Sequence, residues 1–172
     1  IGHDDRLAAL LAAVRPEFAG DIIRVDPDDP VFGRGRCGVA GCARTSWALQ
    51  LCAAHHQRWA KHGKPAVEQF RATTGPIAIR AGSEMVDAFD LSALATRPRL
   101  EVAYTLQCRH DERSVRVPPS TIRHLVGLLV DSGANSLLER PLDSWLDALR
   151  ARGWKDPTRT IAHLRFAYRH LA

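Results

Sequence analysis

The stretch from Arg36 to Lys64, RCGVAGCARTSWALQLCAAHHQRWAKHGK, holds three of the chain's four cysteines. Cys37 and Cys42 frame a knuckle containing Gly38 and Gly41, and Cys52 is followed closely by His55 and His56. A cysteine pair on such a knuckle, with a further Cys and a His on the first turn of a helix, supplies four ligands for a tetrahedral zinc. The glycines suit a knuckle whose backbone N–H groups turn toward sulfur, because glycine reaches those dihedrals without steric cost. On a helix after Cys52, the positions Cys52, His55, His56 and Trp59 fall within roughly 100° of one another. Arg58 and Lys61 point to the other side. One face therefore binds metal and seats Trp59 over it, and the other is cationic and wet. Geometry alone does not choose between His55 and His56. The competing readings are buried free cysteines, which cores tolerate well, and a disulfide, which three clustered cysteines and one remote one serve poorly.

A chain of 172 residues allows one domain or two small ones. A module of about 35 residues has little apolar core of its own and needs a metal to hold it. No apolar run approaches the ~18 residues of a membrane span. Leu7 to Val14 is apolar but follows acidic residues, unlike a signal peptide. Cysteines in a zinc pattern point to a reducing compartment, the cytoplasm. The chain opens on Ile1, so it reads as a processed or truncated piece.

The net charge of +5 is unevenly spread. Residues 1–32 are acidic. Residues 33–71 carry seven Lys and Arg against one carboxylate, and residues 97–172 carry thirteen against eight. Cations concentrated on the metal segment and the C-terminal part fit a protein that meets phosphate backbones. A merely soluble basic surface gives the same count.

Four regions follow. Residues 1–32 hold a helix over 4–14, with Asp4 as cap and a stripe of Leu7, Leu10, Leu11 and Val14, then a short strand over Asp21–Val25 and the turn cluster Asp26-Pro27-Asp28-Asp29-Pro30. Residues 33–72 are the zinc-binding basic module, with a helix stop at Gly63-Lys64-Pro65 and a further helix over Ala66–Ala72. Residues 73–96 read as a linker, Thr73 to Ser83, and a weak helix over Met85–Leu94. Residues 97–172 are amphipathic helices with short loops, a small bundle. The first carries Leu100, Ala103, Tyr104 and Cys108 inward, with Arg109 and Arg113 off that face. Cys108 reads as core, and His110 as a surface residue. Pro118-Pro119-Ser120 starts the next helix, with Ile122, Leu125, Val126 and Leu129 inward and Gly133 ending it. Pro141 opens a helix with Leu142, Trp145, Leu146 and Leu149, ended by Gly153. Asp156-Pro157 caps the last, with Ile161, Leu164, Tyr168 and Leu171 as its stripe and Arg165 and Arg169 as a separate basic row. The fold expected is mainly α.

The segments DPVFGRGRCGVAGC, LCAAHHQRWAKHGKP, LEVAYTLQCRHDE and NSLLERPLDSW resemble the N-terminal region of large bacterial site-specific integrases of the tyrosine recombinase type. The final PTRTIAHLRFAYRHL resembles the last helix of their core-binding domain, a SAM-like helical clamp placed before the catalytic domain. The resemblance covers most of the chain from Arg15 on. Its pattern, C-x4-C then L-C-x2-H-x3-W, implies Cys37, Cys42, Cys52 and His55 as the zinc ligands. It implies double-stranded DNA as partner, with other recombinase protomers besides. The candidate DNA contacts are Arg34, Arg36, Arg44, Arg58, Lys61 and Lys64 around the zinc and Arg165 and Arg169 on the last helix.

Such recombinases use an Arg, a His-x-x-Arg box and a Tyr nucleophile. His163-Leu164-Arg165 has one residue between instead of two, and Tyr168 lies on an apolar stripe. No catalytic residue is assigned, and the chain reads as the DNA-binding portion of an enzyme. A zinc-stabilised protein-interaction module is the alternative. An HNH-type nuclease fragment fits worst, since the chain's one asparagine, Asn135, sits far from the His pair.

Overall fold

The computed structural model describes residues 3–79, 87–154 and 157–172. The chain divides into two units, 1–23 with 88–172, and the intervening 24–87. The first is helical. In chain order the α-helices are α1 (His3–Ala13), α2 (Ala53–Lys61), α3 (Val67–Thr73), α4 (Thr96–Asp111), α5 (Pro119–Ser132), α6 (Leu142–Ala151) and α7 (Thr158–Leu171), and all but α2 and α3 belong to the first unit. Strand β1 (Ile22–Arg24) pairs with β2 (Ala88–Asp90) in a two-stranded sheet. Val25 N–H bonds the Asp87 carbonyl and Leu91 N–H the Asp21 carbonyl, so the strands run antiparallel.

The helical unit forms because its apolar positions recur at helical spacing and are sealed against one another. α7 is central, packing on α4, α5 and α6. Leu164 and Ala167 of α7, Leu106 of α4, Leu125 of α5 and Trp145 and Leu149 of α6 are fully enclosed. α5 begins at Pro119, whose ring suits the first helical position, with Pro118 as the extended N-cap before it. It ends at Gly133 in the left-handed conformation. The Gln107 amide ties α1 to α4, donating to the Ala13 carbonyl at 3.0 Å and accepting from Arg15 N–H at 2.8 Å.

The sequence and the structure part at several points. Leu11 is exposed, so the inward stripe of α1 narrows to Leu10 and Val14. The helix expected over 85–94 is replaced, in its described part, by strand β2 and a turn, since pairing with β1 buries Phe89 and Leu91. Arg109, expected off the core face, is buried. The Asp4 side chain, Asp156 and residues 85–86 lie outside the described residues.

The second unit carries little regular structure: α2 (Ala53–Lys61), α3 (Val67–Thr73) and irregular backbone. Two isolated bridges, Arg36 to Thr45 and Ala48 to Leu51, fold the 36–51 segment back on itself. Its core is Val39, Leu51 and Phe70 around Cys37, Cys42 and Cys52, with Ala54, Trp59 and Val67 packed against it. Val25, Val31 and Phe32 of the same unit are also buried. Residues 74–79, read from sequence as linker, pack within this unit. Gly75 and Ile77 bond to the cysteine–histidine cluster and Ala78 to Arg44.

Candidate metal centre

Cys37, Cys42, Cys52 and His55 are all buried, and their ligand atoms lie within 4.8 Å of one another. The Nδ1 atom of His55 is 3.3 Å from the Cys37 sulfur and 3.3 Å from the Cys52 sulfur. A tetrahedral ion with thiolate bonds of about 2.3 Å and an imidazole bond of about 2.0 Å separates its donors by about 3.5–4 Å. The cluster is thus close to the dimensions of a metal centre.

Local structure explains the arrangement. The Cys37 N–H bonds the Arg44 carbonyl at 2.8 Å and closes the knuckle. Gly41 has φ +75°, a left-handed turn that a β-carbon would strain. Gly38 is needed for another reason: a β-carbon there would stand 2.8 Å from the Arg71 side chain and 3.1 Å from the Gln50 carbonyl. Cys52 sits at the N-cap of α2, which sets His55 one turn along on the same face. Its own N–H donates to the Cys37 sulfur at 3.3 Å.

The outer contacts complete the fit. The Nε2–H of His55 donates to the Gly75 carbonyl at 3.1 Å, leaving the Nδ1 lone pair directed at the sulfurs. A ligand histidine oriented through its other nitrogen is the usual second layer of a metal site. Burial pushes the Cys42 thiol up, but N–H bonds from Arg44 and Ile77, with hydrogen bonding to Cys37 and Cys52, bring it below its ordinary value. Cys52 is pushed up, first by burial and then by the neighbouring sulfurs. Crowded sulfurs that resist joint ionisation are the state a bound cation relieves.

His56 stays outside the cluster, half-buried beside the Trp59 ring at 5.4 Å. Trp59 packs against the cluster and donates from Nε1 to the Pro65 carbonyl at 2.8 Å. Cys108 is half-buried in the helical unit, apart from the tetrad.

The expected DNA-contact residues fall into two groups. Arg34 is engaged by Asp87 at 3.5 Å and lies over the Trp47 ring, Arg36 pairs with Asp28 at 2.8 Å, and Arg44 donates to the Ala78 carbonyl at 3.2 Å. Arg58, Lys61 and Lys64 are exposed, and their side chains make no hydrogen bond or ion pair among the described residues. Arg165 and Arg169 are exposed on α7. The Gly75 and Ile77 backbone groups went unread in the sequence, because loop composition carries no signal of a long-range bond.

No family model, no curated protein and no solved structure matches this chain. Among the described residues, no helix is long and apolar enough to cross a membrane.

Proposed function

We propose that this chain binds double-stranded DNA as the N-terminal portion of a bacterial site-specific integrase of the tyrosine recombinase type, acting in the cytoplasm with further recombinase protomers. Zinc is the ion of the Cys37, Cys42, Cys52 and His55 tetrad. Three thiolates and one imidazole suit its tetrahedral preference, and such closed sites are structural. The observation that carries the reading is the union, in one small unit, of this buried tetrad with the uncommitted cations Arg58, Lys61 and Lys64. A cation with no internal partner keeps its charge available for a phosphate. The three lie on and just beyond α2, the helix whose first turn carries His55. Their contacts position the protein on a duplex and do not specify bases.

Duplex binding measured against salt tests this. Arg58→Ala with Lys61→Ala lowers affinity and reduces the log K versus log salt slope by about two. An unchanged slope removes the zinc module from the DNA face. A second reading, a protein-interaction module, is favoured by Trp47 and Leu49, which stand 59% and 51% exposed on the folded-back segment. It predicts salt-insensitive DNA affinity and loss of a protein partner on Trp47→Ala.

A further inference from the structure

A cleft of about 400 Å³ opens in the helical unit. It is bounded by the end of α4, the loop before α5, and α7. Its lining holds Arg109, Arg116, Arg159 and Arg169 against one carboxylate, Glu112. Arg116 is itself engaged, so the charge rests on Arg109, Arg159 and Arg169, and the one lining carboxylate among the described residues, Glu112, meets His170 Nε2 at 3.0 Å.

Arg109 is built into this cleft. It is 7% exposed, and its guanidinium stacks on the Phe166 ring at 4.1 Å. Nε donates to His163 Nδ1 at 3.0 Å, one terminal nitrogen to Ser114 Oγ at 3.2 Å and the other to the Ala162 carbonyl at 3.3 Å. All three acceptors are neutral, and they leave two of its five N–H groups without a hydrogen bond among the described residues. A buried cation held by neutral acceptors is costly unless an anion compensates it. Arg159 and Arg169 share one face of α7, spaced with Ala162 and Phe166 at steps of three and four. Both are exposed and have no carboxylate partner among the described residues.

We propose that this arginine-lined cleft binds a phosphate group. Several guanidinium forks converging from α4 and α7 suit a tetrahedral, multiply charged oxyanion, whereas a planar carboxylate satisfies one fork. The cleft volume lies within the ~300–1,000 Å³ of ligand sites. Burial, and then the like charge of Arg169, lower the pKa of Arg109 and outweigh the opposing pull of Glu112, a cost that a bound anion reverses. The phosphate comes either from a nucleic-acid backbone or from a free phosphorylated small molecule. The site itself does not depend on the DNA reading.

The test titrates inorganic phosphate into the full chain at constant ionic strength, following the arginine side-chain N–H resonances by NMR. A saturable shift of the Arg109 signal is expected. Arg159→Ala with Arg169→Ala removes two exposed cations, one of which covers the Phe166 ring at 5.6 Å, and weakens binding by about ten-fold or more, the loss of two charge-assisted hydrogen bonds, while an unchanged urea melt shows that the unit still folds. A second arm measures duplex affinity against salt with the same double variant. With the phosphate shift present, a flattened slope assigns the source to a DNA backbone, and an unchanged slope assigns it to a free phosphate compound. No saturable shift, an equal shift with chloride, or an undiminished shift in the double variant overturns the proposal.

Discussion

Arg109 donates from Nε to Nδ1 of His163 across the buried face between α4 and α7, at 3.0 Å. The acceptor role fixes the imidazole as neutral with its proton on Nε2, which lies 3.4 Å from the Thr105 hydroxyl. Burial first, and then the Arg109 charge, push the His163 pKa down to about 3. A histidine whose folded pKa lies below its unfolded value adds stability that is present above the unfolded pKa of about 6.5 and is lost as pH falls toward the folded pKa. Between pH 7 and pH 5 the helical unit therefore loses about 2 kcal/mol. Urea melts followed by Trp145 fluorescence measure this. His163→Asn keeps an acceptor for Arg109 without a titrating ring, and its stability is flat over that interval. An equal loss in the variant assigns the slope elsewhere.

Glu101 is fully buried on α4 and was not singled out in the sequence. Its carboxylate accepts from Ser136 Oγ at 2.7 Å and Leu137 N–H at 2.6 Å, and pairs with Arg97 at 3.2 Å. It thereby fixes the connection between α5 and α6. Glu101→Ala leaves the Ser136 hydroxyl and the Leu137 N–H without their buried acceptor, removes the ion pair to Arg97 and costs about 3–5 kcal/mol. A melt within 1 kcal/mol or so of the parent contradicts this role.

The two neighbouring histidines separate cleanly. His55 bridges the cysteines and the Gly75 carbonyl, while His56 sits against Trp59. His55→Ala lowers metal affinity steeply and unfolds residues 24–87 together, because structural zinc contributes on the order of 10–16 kcal/mol in small metal modules. His56→Ala retains the metal. Competition with a chelator ranks the two variants, and the reverse order removes His55 from the ligand set. In wild-type protein, chelation abolishes amide protection in 24–87 and leaves the helical unit protected.

The Tyr168 hydroxyl donates to the Leu137 carbonyl at 2.7 Å and also to the Arg140 carbonyl, and burial pushes its pKa up. A phenol committed to two carbonyls is a structural group and not an activated nucleophile. Tyr168→Phe costs about 1–2 kcal/mol through its lost hydrogen bonds. Incubation of the chain with a nicked suicide duplex gives no covalent adduct on a denaturing gel. A shifted band that vanishes in Tyr168→Phe overturns the packing role.

Local pattern made part of this legible. The apolar spacing of α5 between Pro119 and Gly133 needs no other part of the chain, and the spacing of Cys37, Cys42 and Cys52 ahead of His55-His56 carries the cluster, with the choice of His55 implied only by the resemblance to the integrases. What stayed hidden depends on distant partners. Strand β2 forms because β1 lies beside it, though Met85–Leu94 alone reads as a weak helix. Arg109 looked like a surface cation until the Phe166 ring and His163 supplied its surroundings. Residues 74–79 looked like linker because their role is a carbonyl and an N–H, which no side-chain pattern encodes.

We propose that one zinc, held by Cys37, Cys42, Cys52 and His55, organises residues 24–87. X-ray absorption at the zinc edge, on full chain purified without added metal, tests it most directly. The expected result is one zinc per chain with three sulfurs at about 2.3 Å and one nitrogen at about 2.0–2.1 Å, and loss of one sulfur in Cys52→Ser. A chain that carries no zinc, or a shell of oxygen and nitrogen unaltered by Cys52→Ser, contradicts it.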